Sequence, residues 1–302
     1  MKINSLSRIY WFIVVIGCVT FLPVHAQKDR KLVNSTTTTL EVEQNSAGNS
    51  IYRVYVDTAG RYTATTGPSH PAGGNLNVLF GDGFPDTTFN TIRSYTSSTD
   101  YTQSDGFSPA SGTVLLGRFA AMTAIGTTGF RTTYALPGPP TTPDALTIIQ
   151  DVNVIGTTFE NSTIEITTTA VNNGSLPIEL GIRYLWDYQI GRDDGPTFQE
   201  LGPDGAVRGN EAEFQVPGFV QYRIVDNDAN PRPPTFFILG TSAGPVTLRP
   251  EPTPPDVLQF TCWPRAFRTS FAHYRTKTIK WCWINGLEAG HRIHSKPNIL
   301  WL

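Results

Sequence analysis

The sequence predicts an all-β protein whose body is a large antiparallel β-sandwich, and three observations carry that expectation. Apolar and polar residues alternate with a period of two in many short runs, the pattern of half-buried strands. Gly (27) and Pro (23) punctuate those runs. No sustained 3.6-residue apolar period follows residue 30, so no amphipathic helix competes for the core. With 39% hydrophobic and only 16% charged residues, the 302-residue chain is long enough to bury a substantial interior.

Residues 1–26 have the form of an export leader. Lys2 and Arg8 precede an apolar run over residues 9–22, and Val24-His25-Ala26 offers a small-x-small cleavage site before Gln27. The run contains Gly17, Cys18 and Thr20 and falls short of the roughly 20 residues that a span needs. The expectation is an exported chain, secreted, periplasmic or at the cell surface, with no stable membrane span after cleavage. Val15-Ile16-Gly17-Cys18 also has the form of a lipoprotein box, with Cys18 as the lipidated residue. It ranks second, because apolar residues continue into Val19, Phe21 and Leu22.

The body, residues 27–261, is expected to run strand after strand. Residues 36–44 and 51–64 alternate, separated by a polar stretch over 45–49, with a turn at Ala59-Gly60. Residues 75–80 end in Gly81-Asp82-Gly83, and further strands are expected at 91–95, 112–123 and 130–135. Pro137-Gly138-Pro139-Pro140 then breaks the pattern, because proline cannot donate to a central ladder. Alternation resumes over 146–155 and later over 219–225 and 235–239, for about 10 to 12 strands in all.

The longest patterned stretch is 163–198. Two alternating runs flank Asn172-Asn173-Gly174-Ser175, a cluster suited to a tight strand connection, which predicts a β-hairpin. Its second run places Ile178, Leu180, Ile182, Tyr184, Trp186 and Tyr188 on a core face, and Glu179, Arg183 and Asp187 on the other.

Charge divides the chain. Residues 27–261 hold 14 basic and 24 acidic residues, a formal charge of −10, whereas 262–302 hold seven basic residues and one acidic residue. An acidic body excludes nucleic acid as a partner. The segment 262–302 is an irregular, basic tail with four of the six Trp, two of the three Cys and three of the five His. Cys262 and Cys282 could form a disulfide, His291 and His294 with Cys282 could ligate a metal, and the cationic aromatic character could suit a membrane surface. Against these, loss of acids alongside gain of Trp, Cys, His and Arg from about Phe267 resembles translation of a shifted reading frame. Residues from there onward are expected not to fold onto the body, since their Trp residues follow no period.

The segments Val171-Asn172-Asn173-Gly174, Leu180-Gly181-Ile182-Arg183-Tyr184-Leu185-Trp186-Asp187 and Asp193-Asp194-Gly195-Pro196 resemble exported bacterial β-sandwich proteins without an assigned role. Part of that likeness is similar to the supersandwich of the galactose mutarotase-like class, and it implies a supersandwich-like fold. Such mutarotases use a His acid and a Glu base around the sugar. The body here has one histidine, His70, in the loop Gly67-Pro68-Ser69-His70-Pro71, where solvation is the simplest expectation, so no mutarotase site carries over.

Asp187, Asp193 and Asp194 form the one acidic cluster with chemical potential. They could gather oxygens around Ca²⁺, or paired carboxylates could run glycoside hydrolysis, or Asp187 could pair with Arg183 or Arg192 while Asp193-Asp194-Gly195 simply turns the chain. The turn is the leading expectation, with no cofactor, and calcium is the one cofactor that the body suggests. Trp186 is expected in the core. Together these features imply a non-enzymatic binding or structural module, for carbohydrate or for a neighbouring surface protein; the alternative is a weak or degenerate carbohydrate-active enzyme.

Overall fold

The computed structural model describes residues 45–104, 112–194 and 196–200, and beyond them short strands only, between residues 207 and 301. The leader, Cys18, the strand expected at 36–44, and Cys262, Cys282, His291 and His294 lie outside the described residues. Among the described residues the chain is all-β: strands in four sheets, no α-helix, and a single 3-10 turn at Leu116–Phe119. No helix there is long and apolar enough to cross a membrane.

The first sheet has the order β1 (Asn45–Gly48), β2 (Tyr52–Val56), β3 (Tyr62–Thr66), β4 (Asn77–Leu79), β13 (Tyr188–Gly191). The second runs β21 (Ile299–Trp301), β11 (Thr163–Asn172), β10 (Ala145–Ile155), β9 (Gly129–Pro137), β8 (Ala120–Ile125). In the third, β16 (Ala212–Gln215), β19 (Val257–Phe260), β20 (Leu287–Ala289), β12 (Leu180–Leu185), β5 (Phe89–Ser94), β6 (Thr99–Thr102) and β7 (Thr113–Leu115) lie side by side. The fourth is β15 (Val207–Arg208), β14 (Thr197–Glu200), β17 (Gln221–Val225), β18 (Phe237–Thr241). All pairings are antiparallel except β6 with β7.

Strand β10 shows why the sequence folds this way. Its even-numbered residues, among them Leu146, Ile148, Val152 and Val154, are buried, while the odd-numbered ones are half-exposed. Polar Gln150 falls in the buried series and meets Asn90 of β5, so the second and third sheets face one another there. Tyr134, Ile148, Ile92, Ile182 and Tyr184 fill the interior. More strands form than alternation alone predicts, because elements of two to four residues such as β4, β7 and β15 are too short to show a period.

Four expectations need correction. Residues 45–49 contain β1 rather than only a separator. The expected hairpin at 163–198 is not one: β11 pairs with β10 and β21, whereas β12 pairs with β5 and β20 in the facing sheet. The cause is partner competition, for β11 gains ten register positions against β10, and the intervening 173–179 is too long for a tight turn. Both faces of β12 are buried, Arg183 included, and Asp187, between β12 and β13, is buried too, each 7% exposed, so neither faces water. Finally, two pieces of the tail do reach the body, Leu287–Ala289 between β19 and β12 and Ile299–Trp301 beside β11. Main-chain ladders need no side-chain period, so an open edge can accept a strand that composition gives no reason to expect.

Candidate functional site

Beside β13, the edge strand of the first sheet, an acidic loop carries an exposed aromatic ring. Thr63 donates from Oγ1 to the carbonyls of Leu79 and Phe80, and Phe80 donates its N–H to Asp187 O at 2.7 Å, which seats the end of β4 beside the start of β13. The chain then bends through Gly81 (φ 124°), Asp82 (φ 49°) and Gly83 (φ 84°), three successive residues with positive φ. Glycine is required at 81, because a Cβ there would lie 2.1 Å from the Phe84 carbonyl oxygen. The Phe84 N–H donates to Gly81 O at 2.7 Å and closes the bend. Asn77 Nδ2 donates to Asp82 Oδ1 and, at 2.8 Å, to Gln189 Oε1, so the loop is tied back to β4 and β13. Asp86, 69% exposed at its side chain, lies 3.5 Å from Arg61, whose Nε is bonded to Asp57.

The outcome of these constraints is Phe84, 67% exposed, held between the exposed Asp82 and Asp86. Non-glycine residues in the left-handed region are uncommon, and strain of order 1–3 kcal/mol persists only where surroundings over-determine it. Sequence patterning noted Gly81-Asp82-Gly83 only as the end of a strand. The signal that would have found the site is Gly-Asp-Gly, which demands positive φ, running directly into Phe-Pro-Asp.

The aspartates singled out from the sequence flank β13, Asp187 just before it and Asp193 and Asp194 just after it. Asp187 is buried; its N–H donates to Thr88 Oγ1 at 3.1 Å and its carbonyl accepts from Phe80. Asp193 exchanges both main-chain hydrogen bonds with Ile190, at 3.0 and 3.1 Å, across Gly191 (φ 64°) and Arg192. That is a tight turn. Asp194 beside it is exposed. Among the described residues no three His, Cys, Asp or Glu side chains are grouped to hold a metal. On the turn reading, the melting temperature of the protein is expected to be the same in Ca²⁺ and in chelator, since only a ligand that prefers the folded state raises it. A calcium-dependent rise abolished by Asp193→Asn would establish a cation site instead.

His70 is not solvated, as the sequence suggested, but 4% exposed. Its turn wraps it inward: the His70 N–H donates to Gly67 O, Gly73 donates to His70 O, and Nδ1 accepts the Ala72 N–H at 3.1 Å. The ring sits between Tyr52 (centroids 5.5 Å apart) and Phe159 (5.3 Å). Burial lowers its pKa from 6.5 to about 4. The unfolded chain thus takes up the proton first, so the stability contributed by the neutral ring is complete above about pH 6.5 and is lost as pH falls toward 4. Thermal melts between about pH 7.5 and 4.5 should show a steeper fall for the wild type than for His70→Gln; parallel curves would refute this assignment.

A buried polar network joins the first three sheets. Trp186 Nε1 donates to Tyr62 OH at 2.8 Å, and Tyr62 OH donates to Asn90 Oδ1 at 3.2 Å. Asn90 Nδ2 and Gln103 Nε2 both donate to Gln150 Oε1 at 2.6 Å, and Gln150 Nε2 donates to Gly60 O at 2.7 Å. Gln103 Nε2 also meets Tyr134 OH, which donates to Ala59 O at 2.9 Å. Burial drives the Tyr62 and Tyr134 phenols well above their usual pKa, so the network is neutral. It ties the turn between β2 and β3 to the second and third sheets. Trp186, expected in the core, is half-buried and packs against it, with its N–H satisfied by Tyr62. Comparisons with protein-family models, with curated proteins and with solved structures find no match to this chain.

Proposed function

We propose that the protein is an exported, non-enzymatic binding module whose contact surface is the Phe84 loop and whose ligand is a carbohydrate. The observation that carries this is Phe84, 67% exposed on a loop fixed by three positive φ angles and tied to two strands. Leaving such a ring in water forgoes about 1.5–3 kcal/mol of burial. A ligand that covers it recovers that free energy. The apolar face of a sugar ring fits a phenyl ring, and Asp82 and Asp86 on either side supply acceptors for sugar hydroxyls. The export leader and the likeness to the galactose mutarotase-like supersandwich support the same ligand class.

The test is retention of the mature protein on insoluble cellulose, chitin and xylan, with titration of their soluble oligosaccharides. Phe84→Ala should weaken binding by about tenfold or more, equal to about 1.4 kcal/mol, with an unchanged melting temperature. Phe84→Trp should retain it. Wild-type protein that binds none of the three, or a Phe84→Ala variant that binds like wild type, would sink the proposal.

A further inference from the structure

We infer that Asn173 is a site of spontaneous deamidation whose rate is restrained by Asn172 and Thr147, and that its conversion loosens the crossover between the two facing sheets. Asn173 is the only asparagine among the described residues that precedes a glycine, and both Asn173 and Gly174 are exposed. Glycine leaves its own nitrogen uncrowded, which is what attack on the preceding side chain needs. In the reaction the Gly174 amide nitrogen gives its proton to solvent base and bonds to Asn173 Cγ. The tetrahedral centre then takes a proton from solvent onto Nδ2, expels it as ammonia and leaves a cyclic imide. Water adds to either imide carbonyl, and the ring opens to aspartate or to isoaspartate, with no oxidant or reductant involved.

The structure holds both reacting groups. Gly174 donates its N–H to Asn172 Oδ1 at 2.9 Å, so the nucleophile is engaged by a neighbouring carboxamide. Asn173 donates from Nδ2 to Thr147 Oγ1 at 2.8 Å, so the leaving group is tied to β10. Asn172 is held in turn, because its Nδ2 donates to Leu176 O at 2.7 Å. Both restraints must open before Cγ and the Gly174 nitrogen can meet. Each is a local side-chain bond at an exposed loop, of the kind worth little enough to open often.

The consequences follow from the same contacts. Loss of Nδ2 removes the bond to Thr147. Isoaspartate reroutes the main chain through the side-chain carbons, which displaces the loop beyond the Asn173 N–H that donates to Ala145 O at 2.9 Å. This loop, 173–179, is the crossover from β11 to β12.

The full mature chain would be incubated at mildly alkaline pH and followed by peptide mass spectrometry and by labelling with an isoaspartyl methyltransferase. Label is expected at Asn173, slower in the folded protein than in the same chain unfolded in urea. Thr147→Val and Asn172→Ala should each react several-fold faster than wild type, and Thr147→Ser, which keeps the hydroxyl, should return the wild-type rate. Gly174→Ala should be nearly silent; its φ is not positive and the nearest atom to an added Cβ is the Asn172 side-chain oxygen at 3.2 Å, so the variant should fold. Equal rates in wild type, Thr147→Val and Asn172→Ala would overturn the restraint. Absence of label at Asn173 in all folded forms would overturn the site.

Discussion

Replacing Gln150 with leucine should destabilise the protein by about 3 kcal/mol or more, although leucine is close in volume and apolar. The substitution leaves Asn90 Nδ2 without its short partner, takes one acceptor from Gln103 Nε2, and orphans the carbonyl of Gly60. Each buried polar group so stranded costs about 1–3 kcal/mol, whereas removing both partners together can be nearly neutral. The measurement is a double-mutant cycle by urea unfolding with Gln150→Leu, Asn90→Leu and the pair. Strong coupling, with the double variant less destabilised than the two single losses combined, is expected of a satisfied buried network. Additive effects would mean that the network contributes nothing beyond packing.

Tyr184→Ala should cost about 3–5 kcal/mol, the range for deleting a buried aromatic side chain. Tyr184 is fully buried in β12, next to Trp186 at 6.3 Å between ring centroids and across from Asn90 of β5 in register. Ile182→Ala, in the same buried series, should fall in the range of about 2–5 kcal/mol. Arg192→Ala, on the exposed turn, should remain within about 0.5 kcal/mol of wild type. A loss at Tyr184 no larger than the loss at Arg192 would show that the Tyr184 ring is not part of the packed interior.

What the sequence by itself determined is local and periodic. The all-β class, the run of β10 with its alternating burial, the turn around Asp57–Arg61 between β2 and β3 and the end of β9 at Pro137 all follow from side-chain period, turn residues and the missing donor of proline. These depend on neighbours a few residues away. Strand partnership does not. Asn172-Asn173-Gly174 carries hairpin chemistry, yet the chain there passes from one sheet to the facing one, because a pairing is chosen by competition among all available edges.

The same limit explains the errors at polar residues. Alternation alone assigns Arg183 and Asp187 to a face turned to water; only the third sheet, buried on both sides at β12, shows otherwise for Arg183, and Asp187 is buried in the link from β12 to β13. His70 sits in a Pro- and Gly-flanked loop that any local rule would expose, but Tyr52 and Phe159, from strands and turns distant in sequence, close over it. The buried network joins residues separated by 28 to 124 positions, so nothing in a window of sequence marks Gln150 as its centre. The Phe84 loop stands between these cases: Gly81-Asp82-Gly83 announces an unusual backbone, while the exposure of the ring depends on Asn77 and Gln189 anchoring that backbone from two strands. Short-range sterics are written in adjacent residues, and burial is written only in how distant strands meet.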